Sequence, residues 1–246
     1  MSTRLPPPPA RPRTNAMMAR RLSTPARGPA LPAALPAPAR RRAALKAVAE
    51  YPVAALLAVL AAPVVLLALA TTKLTSRGPA IYSQTRVGRG GRVFTIYKIR
   101  TMYHDCESLT GPRWSVPGDP RITRLGGVFR KLHVDELPQL WNVLRGDMAL
   151  VGPRPERPEI VDQLVESVPS YHARHVVRPG ITGYAQIHLP PDSNLRSVRN
   201  KVAYDRFYIR KMGVGFDLYV YGCTLLKVVG LKRVYRRLPC KPTADV

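Results

Sequence analysis

Residues 130–156 read RKLHVDELPQLWNVLRGDMALVGPRPE, and the reading of this stretch decides how the rest of the chain is understood. Two adjacent carboxylates, Asp135 and Glu136, stand just ahead of Leu137, Leu140, Trp141 and Leu144. Those four fall at i, i+3, i+4 and i+7 and predict one apolar face of a short helix. Gly146 ends it. Pro138 fits only a first turn, where its missing N–H needs no partner, so the spacing puts Asp135 and Glu136 at the N-cap or first helical positions. There the helix dipole favours a charged carboxylate and predicts a low pKa. Neighbours in a helix point about 100° apart, so the two acids do not form a symmetric pair. They can divide the work, one attacking or binding a metal and the other handling a proton. The same spacing also describes an ordinary N-cap followed by a first-turn acid.

Beyond the helix, Gly152-Pro153-Arg154-Pro155 constrains the backbone on both sides of Arg154. That limits the entropy lost when its guanidinium grips a phosphate. Further on, Arg178-Pro179-Gly180-Ile181-Thr182-Gly183 offers backbone N–H groups at Gly180 and Gly183 that can approach an anion closely, and a hydroxyl donor at Thr182. A plain glycine-rich surface bend fits that segment too.

With these three blocks the region resembles the bacterial sugar transferases, the monotopic phosphoglycosyl transferases, over roughly residues 53–229. The resemblance implies transfer of a sugar 1-phosphate from a UDP-sugar to a polyprenyl (undecaprenyl) phosphate, with release of UMP. It further implies that Asp135 is the covalent nucleophile and that Mg²⁺, held at Asp135, screens the anionic substrate. Glu136 would then serve beside the metal or as base for the incoming phosphate. Substrate phosphates are expected at Arg154 and Arg178, at Gly180 and Thr182, and at Arg130, which is close in sequence to Asp135.

Working outward, Ala80 to Arg100 reads as a β-hairpin turned at Gly88, Gly90 and Gly91. Alternation places Phe94, Ile96, Lys98 and Arg100 on one face of its second strand. Two cations projected together can bind phosphate, and the resemblance sets the block Lys98 to Met102 beside the active site; by itself the block reads as a solvated strand edge. Asp119-Pro120-Arg121 opens a turn into a helical run ending near His133, and Glu159 to Val176 is helical around Pro169. The block Lys201 to Tyr208 matches the family at Asp205 and Tyr208, and Asp217 fits the aspartate that follows. Lys211 to Val214, however, replaces the usual Asn-Trp-Ser-Leu, and no catalytic role is assigned there. Phe216 to Val229 is apolar and amphipathic, suited to the membrane interface or to the core.

The 246 residues carry 39 basic and 15 acidic side chains, a net charge of +24. A balance this basic requires an anionic partner: a lipid surface, a phosphorylated substrate or nucleic acid. Residues 1–42 contain no acid and are dense in proline, alanine and arginine, a composition with too few large apolar groups to offset the entropy of ordering. Residues 51–72 carry no charge and are long enough to enter a bilayer. Pro63 near the middle predicts a kink. Basic residues flank both ends, as in a re-entrant helix with both ends cytoplasmic, the topology the resemblance implies; Ala62 stands where the family usually has serine, and a plain spanning anchor is the alternative. No second apolar segment precedes this one, as in the compact form of the family. Cys106, Cys223 and Cys240 form no CxxC pair, consistent with a reducing compartment.

The expectation is therefore an α+β, mainly helical, monotopic membrane protein. Its parts are a basic tail (1–42), a Pro-kinked membrane helix (43–75), a cytoplasmic catalytic domain at the inner membrane (76–230) with a small β-hairpin and interfacial helices, and a basic C-terminal tail (231–246). The competing class is a membrane-anchored basic protein that binds anionic lipid or nucleic acid without chemistry; the apolar segment favours lipid, and nucleic acid is not the expected partner. A third reading keeps the fold and loses the activity. The donor sugar, the pathway and the oligomeric state are not legible.

Overall fold

The run Ala37 to Ala47 is rich in alanine, arginine and lysine, all strong helix formers, and helix α1 accordingly starts at Ala37 and continues to Thr75. The computed structural model describes residues 35–106, 118–168 and 170–231; the tail up to residue 34, and the C-terminal tail from 232, lie outside them. The expected boundary at residue 42 is thus corrected. Pro38 fits the first turn, and Arg40, Arg41 and Arg42 form exposed turns of α1 rather than the end of an unstructured tail. The helix is one continuous element through Pro52 and Pro63. It is the one element among the described residues long and apolar enough to cross a membrane.

The apolar side chains of α1 point the opposite way from those of a soluble core helix. Leu56, Val59, Leu60, Leu66 and Leu67 are all more than half exposed, while Ala39, Lys46, Glu50, Ala54, Ala68 and Thr72 are buried. The buried set recurs mostly at intervals of four and seven, one stripe along the helix. Such a helix offers leucines to lipid and a small or polar stripe to its own protein, which marks the chain as membrane-associated.

The hairpin forms as read. β1 (Ile81–Val87) pairs antiparallel with β2 (Val93–Ile99), Ile81 opposite Ile99 and Val87 opposite Val93. Gly90 at φ +66° supplies the left-handed turn conformation. Helix α2 (Arg124–Leu132) is capped by the Thr123 side chain, which accepts from the Gly126 N–H, and ends at His133 in the left-handed region. The predicted acidic helix divides in two: Val134–Glu136 form a 3-10 turn, and α3 covers Gln139–Leu144 with Pro138 as its N-cap. Its expected apolar face is also revised. Leu140 is buried, but Trp141 is 58% exposed, and Gln139, Asn142 and Val143 fill the inner side. Asn142 is buried because it bridges to the hairpin, with Nδ2 donating to Thr95 O at 2.7 Å.

Two three-residue strands, β3 (Ala149–Val151) and β4 (Gly180–Thr182), pair in parallel. Between them run α4 (Pro158–Ser167) and a 3-10 segment, Tyr171–Val176. After β4 come α5 (Tyr184–His188), α6 (Leu195–Lys211), opened by an Asn194–Ser197 capping box, and α7 (Val214–Val228). α7 buries Val220 and Cys223 in the core while Leu218 and Leu225 stay exposed.

A buried polar network ties α1 into this body. Lys46 pairs with Glu50 and, at 2.9 Å, with Asp217 of α7. Glu50 Oε1 accepts from the Val151 N–H of β3 and from Tyr221 Oη. Tyr208 Oη donates to Asp217 at 2.8 Å. The family-like residues Tyr208 and Asp217 therefore anchor the membrane helix.

Candidate active site

β2, the 3-10 turn and the loop after β3 converge on Glu136. Lys98 projects from β2 and reaches Glu136 Oε1 at 2.7 Å. Arg154 reaches the same oxygen with NH2 at 2.6 Å and Oε2 with NH1 at 3.5 Å. Both carboxylate oxygens are thus engaged by fixed cations. Burial by itself would raise the Glu136 pKa, but the charges and hydrogen bonds of Arg154 and Lys98 outweigh it and hold the group well below the usual carboxylate range. With both carboxylate oxygens taken by cations, Glu136 orders Lys98 and Arg154 beside Asp135.

Asp135 behaves in the opposite way. It is 7% exposed, and among the described residues no hydrogen bond holds its carboxylate. Burial pushes its pKa up and the Glu136 charge adds to this, while Lys98, Arg130 and Arg154 pull it back. The low pKa expected from a helix dipole is corrected: one 3-10 turn has little dipole, and desolvation dominates. The chemical consequence is a more basic, unengaged carboxylate ringed by three cations.

Arg130 reaches the site from α2, its Nε donating to Thr101 Oγ1 at 2.8 Å. The structure thus brings together Lys98, Arg130, Asp135, Glu136 and Arg154. It employs the other expected phosphate ligands differently. Arg100 shares the face of Lys98 but turns to the end of α1, donating to Ser76 O at 2.9 Å, Ser76 Oγ at 2.8 Å and Arg77 O. Arg178 donates to Tyr51 Oη at 3.2 Å, its guanidinium over the Tyr51 ring of α1. The Gly180 N–H is taken by Pro153 O at 2.9 Å, and a Cβ there would lie 2.0 Å from Gly152 N, so this glycine permits two backbones to touch. Thr182 Oγ1 meets Thr224 Oγ1 of α7 at 2.8 Å.

Sequence reasoning passed over Arg174. Its side chain is buried against Tyr171 and Asp205 and reaches the Arg154 backbone carbonyl. No periodicity or motif marks an arginine in a six-residue 3-10 segment; the nearest signal was the family-like Asp205.

The donor set bears on the expected cation. No group of three or more His, Cys, Asp or Glu side chains able to hold a metal assembles among the described residues. Mg²⁺ suits a site with one available carboxylate, because it commonly takes one or two carboxylates and completes its shell with substrate phosphate and water. Asp135 fits that role, with Glu136 already engaged.

The model of a family described as bacterial sugar transferase matches residues 41–231. A UDP-N-acetylgalactosamine-undecaprenyl-phosphate N-acetylgalactosaminephosphotransferase of Aeromonas hydrophila is 42% identical over 68% of this chain and 39% of its own length. A UDP-glucose:undecaprenyl-phosphate glucose-1-phosphate transferase of Caulobacter vibrioides is 44% identical over 71% of this chain and 66% of its own. The exopolysaccharide production protein PSS of Rhizobium leguminosarum is 39% identical over 65% of this chain and 82% of its own. The chain thus spans well under half of the Aeromonas relative and most of the Rhizobium one.

Proposed function

Because the chain belongs to the bacterial sugar transferase family, we propose that it transfers a sugar 1-phosphate from a UDP-sugar to undecaprenyl phosphate at the cytoplasmic face of the inner membrane, releasing UMP. The observation that carries the reading is the contrast between neighbours: Glu136 is bound by Lys98 and Arg154, whereas Asp135 is buried, carries no hydrogen bond or ion pair among the described residues, and is raised in pKa by burial. One carboxylate is spent on arranging cations, which leaves the other for chemistry.

In the proposed reaction an Asp135 carboxylate oxygen attacks the sugar-bearing phosphorus of the UDP-sugar. The diphosphate bridging bond breaks, its electrons leave with UMP, and an aspartyl phosphosugar remains. A phosphate oxygen of undecaprenyl phosphate then attacks the same phosphorus, freeing the carboxylate and leaving an undecaprenyl diphosphate sugar. Arg130, Lys98 and Arg154 surround the phosphates, where fixed cations stabilise charge without reorganising. Asp135 would hold Mg²⁺, which would supply neutralisation of substrate charge and polarisation of the phosphoryl oxygens. The lipid-facing leucines of α1 keep the site where the acceptor's phosphate emerges from the bilayer, so the two reactants meet by lateral search. The relatives are named for different sugars, so membership of the family does not by itself choose the donor. One relative is named an exopolysaccharide production protein, which supports a role in surface polysaccharide assembly.

The test is UMP release by detergent-extracted protein with Mg²⁺, undecaprenyl phosphate and a panel of UDP-sugars, followed by acid quenching and mass spectrometry of the active-site peptide. Turnover with one sugar, a phosphosugar adduct on Asp135, and loss of both in Asp135→Asn are expected. Full activity in Asp135→Asn would overturn the nucleophile assignment. No turnover with any donor, together with retained binding to anionic vesicles, would favour a lipid-binding role without chemistry.

A further inference from the structure

Within Pro153–Glu156 the two prolines have no N–H, so the turn is held chiefly through what its carbonyls accept. All four are engaged: Pro153 O by the Gly180 N–H at 2.9 Å, Arg154 O by Arg174 NH2 at 2.8 Å, Pro155 O by Arg86 NH1 at 3.1 Å and Glu156 O by the Val87 N–H at 2.9 Å. The outer two holds come from the backbones of β4 and β1. The inner two come from guanidinium groups.

Of these, Arg174 is the less expected. It is 2% exposed, as is its counter-charge Asp205 on α6, whose Oδ2 lies 2.9 Å from Arg174 NH2. NH1 donates to Tyr171 Oη at 2.8 Å. A buried ion pair is weak evidence for stability, because apolar side chains of similar volume often serve as well or better. What an apolar side chain cannot do is grip the peptide carbonyl of Arg154, the residue whose guanidinium meets Glu136 at 2.6 Å. Arg174 has the planar, many-pronged donor set needed to bond Tyr171 Oη and that carbonyl together, while its charge is balanced by Asp205 at ion-pair distance.

We propose that Arg174, with Asp205 as its counter-charge, is a positioning residue of the transfer site. It fixes the backbone of the Pro153–Glu156 turn so that Arg154 is held against Glu136 and directed at the substrate phosphates. The inference rests on the phosphosugar-transfer reading above. Arg174 touches no reacting group; it acts through Arg154.

The experiment compares wild type, the paired replacement Arg174→Met/Asp205→Leu, and Arg174→Lys, all full-length in detergent. The pair removes both buried charges together, an exchange that cores tolerate. Its thermal melt should stay within a few degrees of wild type while kcat falls on the order of 10²-fold, the scale of an ångström-level misplacement. The acid limb of its pH–rate profile should move up as Arg154 loosens from Glu136, and Arg174→Lys should recover part of kcat. A second readout does not pass through catalysis: the side-chain ¹⁵N–¹H signals of Arg154, assigned with Arg154→Lys, should exchange slowly with solvent in wild type and quickly in the pair. Unchanged kcat, pH profile and Arg154 signals in a folded paired variant would overturn the inference. If the pair does not fold, the same measurements on Arg174→Lys decide. If wild type turns over no UDP-sugar, the function reading fails, and the Arg154 signals still decide whether Arg174 positions it.

Discussion

Asp135 and Glu136 are adjacent in sequence and opposite in behaviour, and pH makes the difference measurable. The folded pKa of Asp135 lies above its unfolded value, so the stability it contributes is present below about pH 4 and is lost as pH rises through the folded pKa. For Glu136 the folded pKa is depressed, so its contribution is present above about pH 4 and is lost only as pH falls through that lower value. In the Mg²⁺-free protein, Asp135→Asn should therefore melt higher than wild type at neutral pH, with the gain shrinking as the buffer is acidified, even though activity is lost. Glu136→Gln should melt lower by the equivalent of about 3 kcal/mol, because Lys98 and Arg154 lose the anion they share. Melts of the three proteins at several pH values check both, and a destabilised Asp135→Asn at neutral pH would contradict the desolvation argument. Much of this site was legible in the sequence, since Asp135, Glu136, Lys98, Arg130 and Arg154 all come together. The protonation behaviour of Asp135 was not, because the dipole argument presumed a full helix and burial is not visible in spacing.

The two glycines of α2 separate packing from propensity. A Cβ on Gly126 would lie 2.1 Å from Thr101 O, so the helix lies directly against the segment that follows β2, whereas a Cβ on Gly127 meets nothing within 4 Å. Gly126→Ala should cost about 1–3 kcal/mol through overpacking and should weaken activity as well, because Arg130 bonds Thr101 across the same contact. Gly127→Ala should stabilise by about 0.5–1 kcal/mol, the helix-interior gain of alanine over glycine. Thermal melts of the two variants test this directly, and equal effects would mean that the helix does not sit where described. The elements that could be read in advance were those long enough to repeat: the hairpin by its alternation and glycines, α1 by its apolar run, α2 by its turn and stop. The parallel pair β3–β4 escaped because three residues cannot establish a period and its partners lie some thirty positions apart in the chain. The same pairing explains why Gly180, read as an anion contact, is instead a place where two backbones meet.

At the scale of the whole molecule, the question is which way the membrane helix runs. Helix α1 has 39 residues, roughly 58 Å if straight and about twice the hydrocarbon thickness of a bilayer. A simple spanning anchor would have one end attached to the catalytic body and the other free on the far side. Here both ends are attached to it. Near the start, Ala39 lies in the core formed with β3 and α7, and Lys46 and Glu50 join the Asp217 network; just past the end, Ser76 and Arg77 accept from Arg100, next to the hairpin. Ala54, Ala68 and Thr72 keep one stripe against protein between them while the leucines face outward. Drawing one end across the bilayer would pull Arg100 and the adjoining charged strand into hydrocarbon, an unfavourable environment for ionised groups. Both ends of α1 are therefore expected on the cytoplasmic side, with the leucine face immersed in one leaflet. Cysteines placed singly at Arg42 and Arg77, in a background with Cys106, Cys223 and Cys240 replaced, should both react with a membrane-impermeant maleimide in inside-out vesicles, and neither should react in right-side-out vesicles. Labelling from opposite sides would make α1 a spanning helix and would require the Arg100 contacts to Ser76 and Arg77 to break in the membrane, since a single body cannot hold both ends of a helix that ends in two compartments.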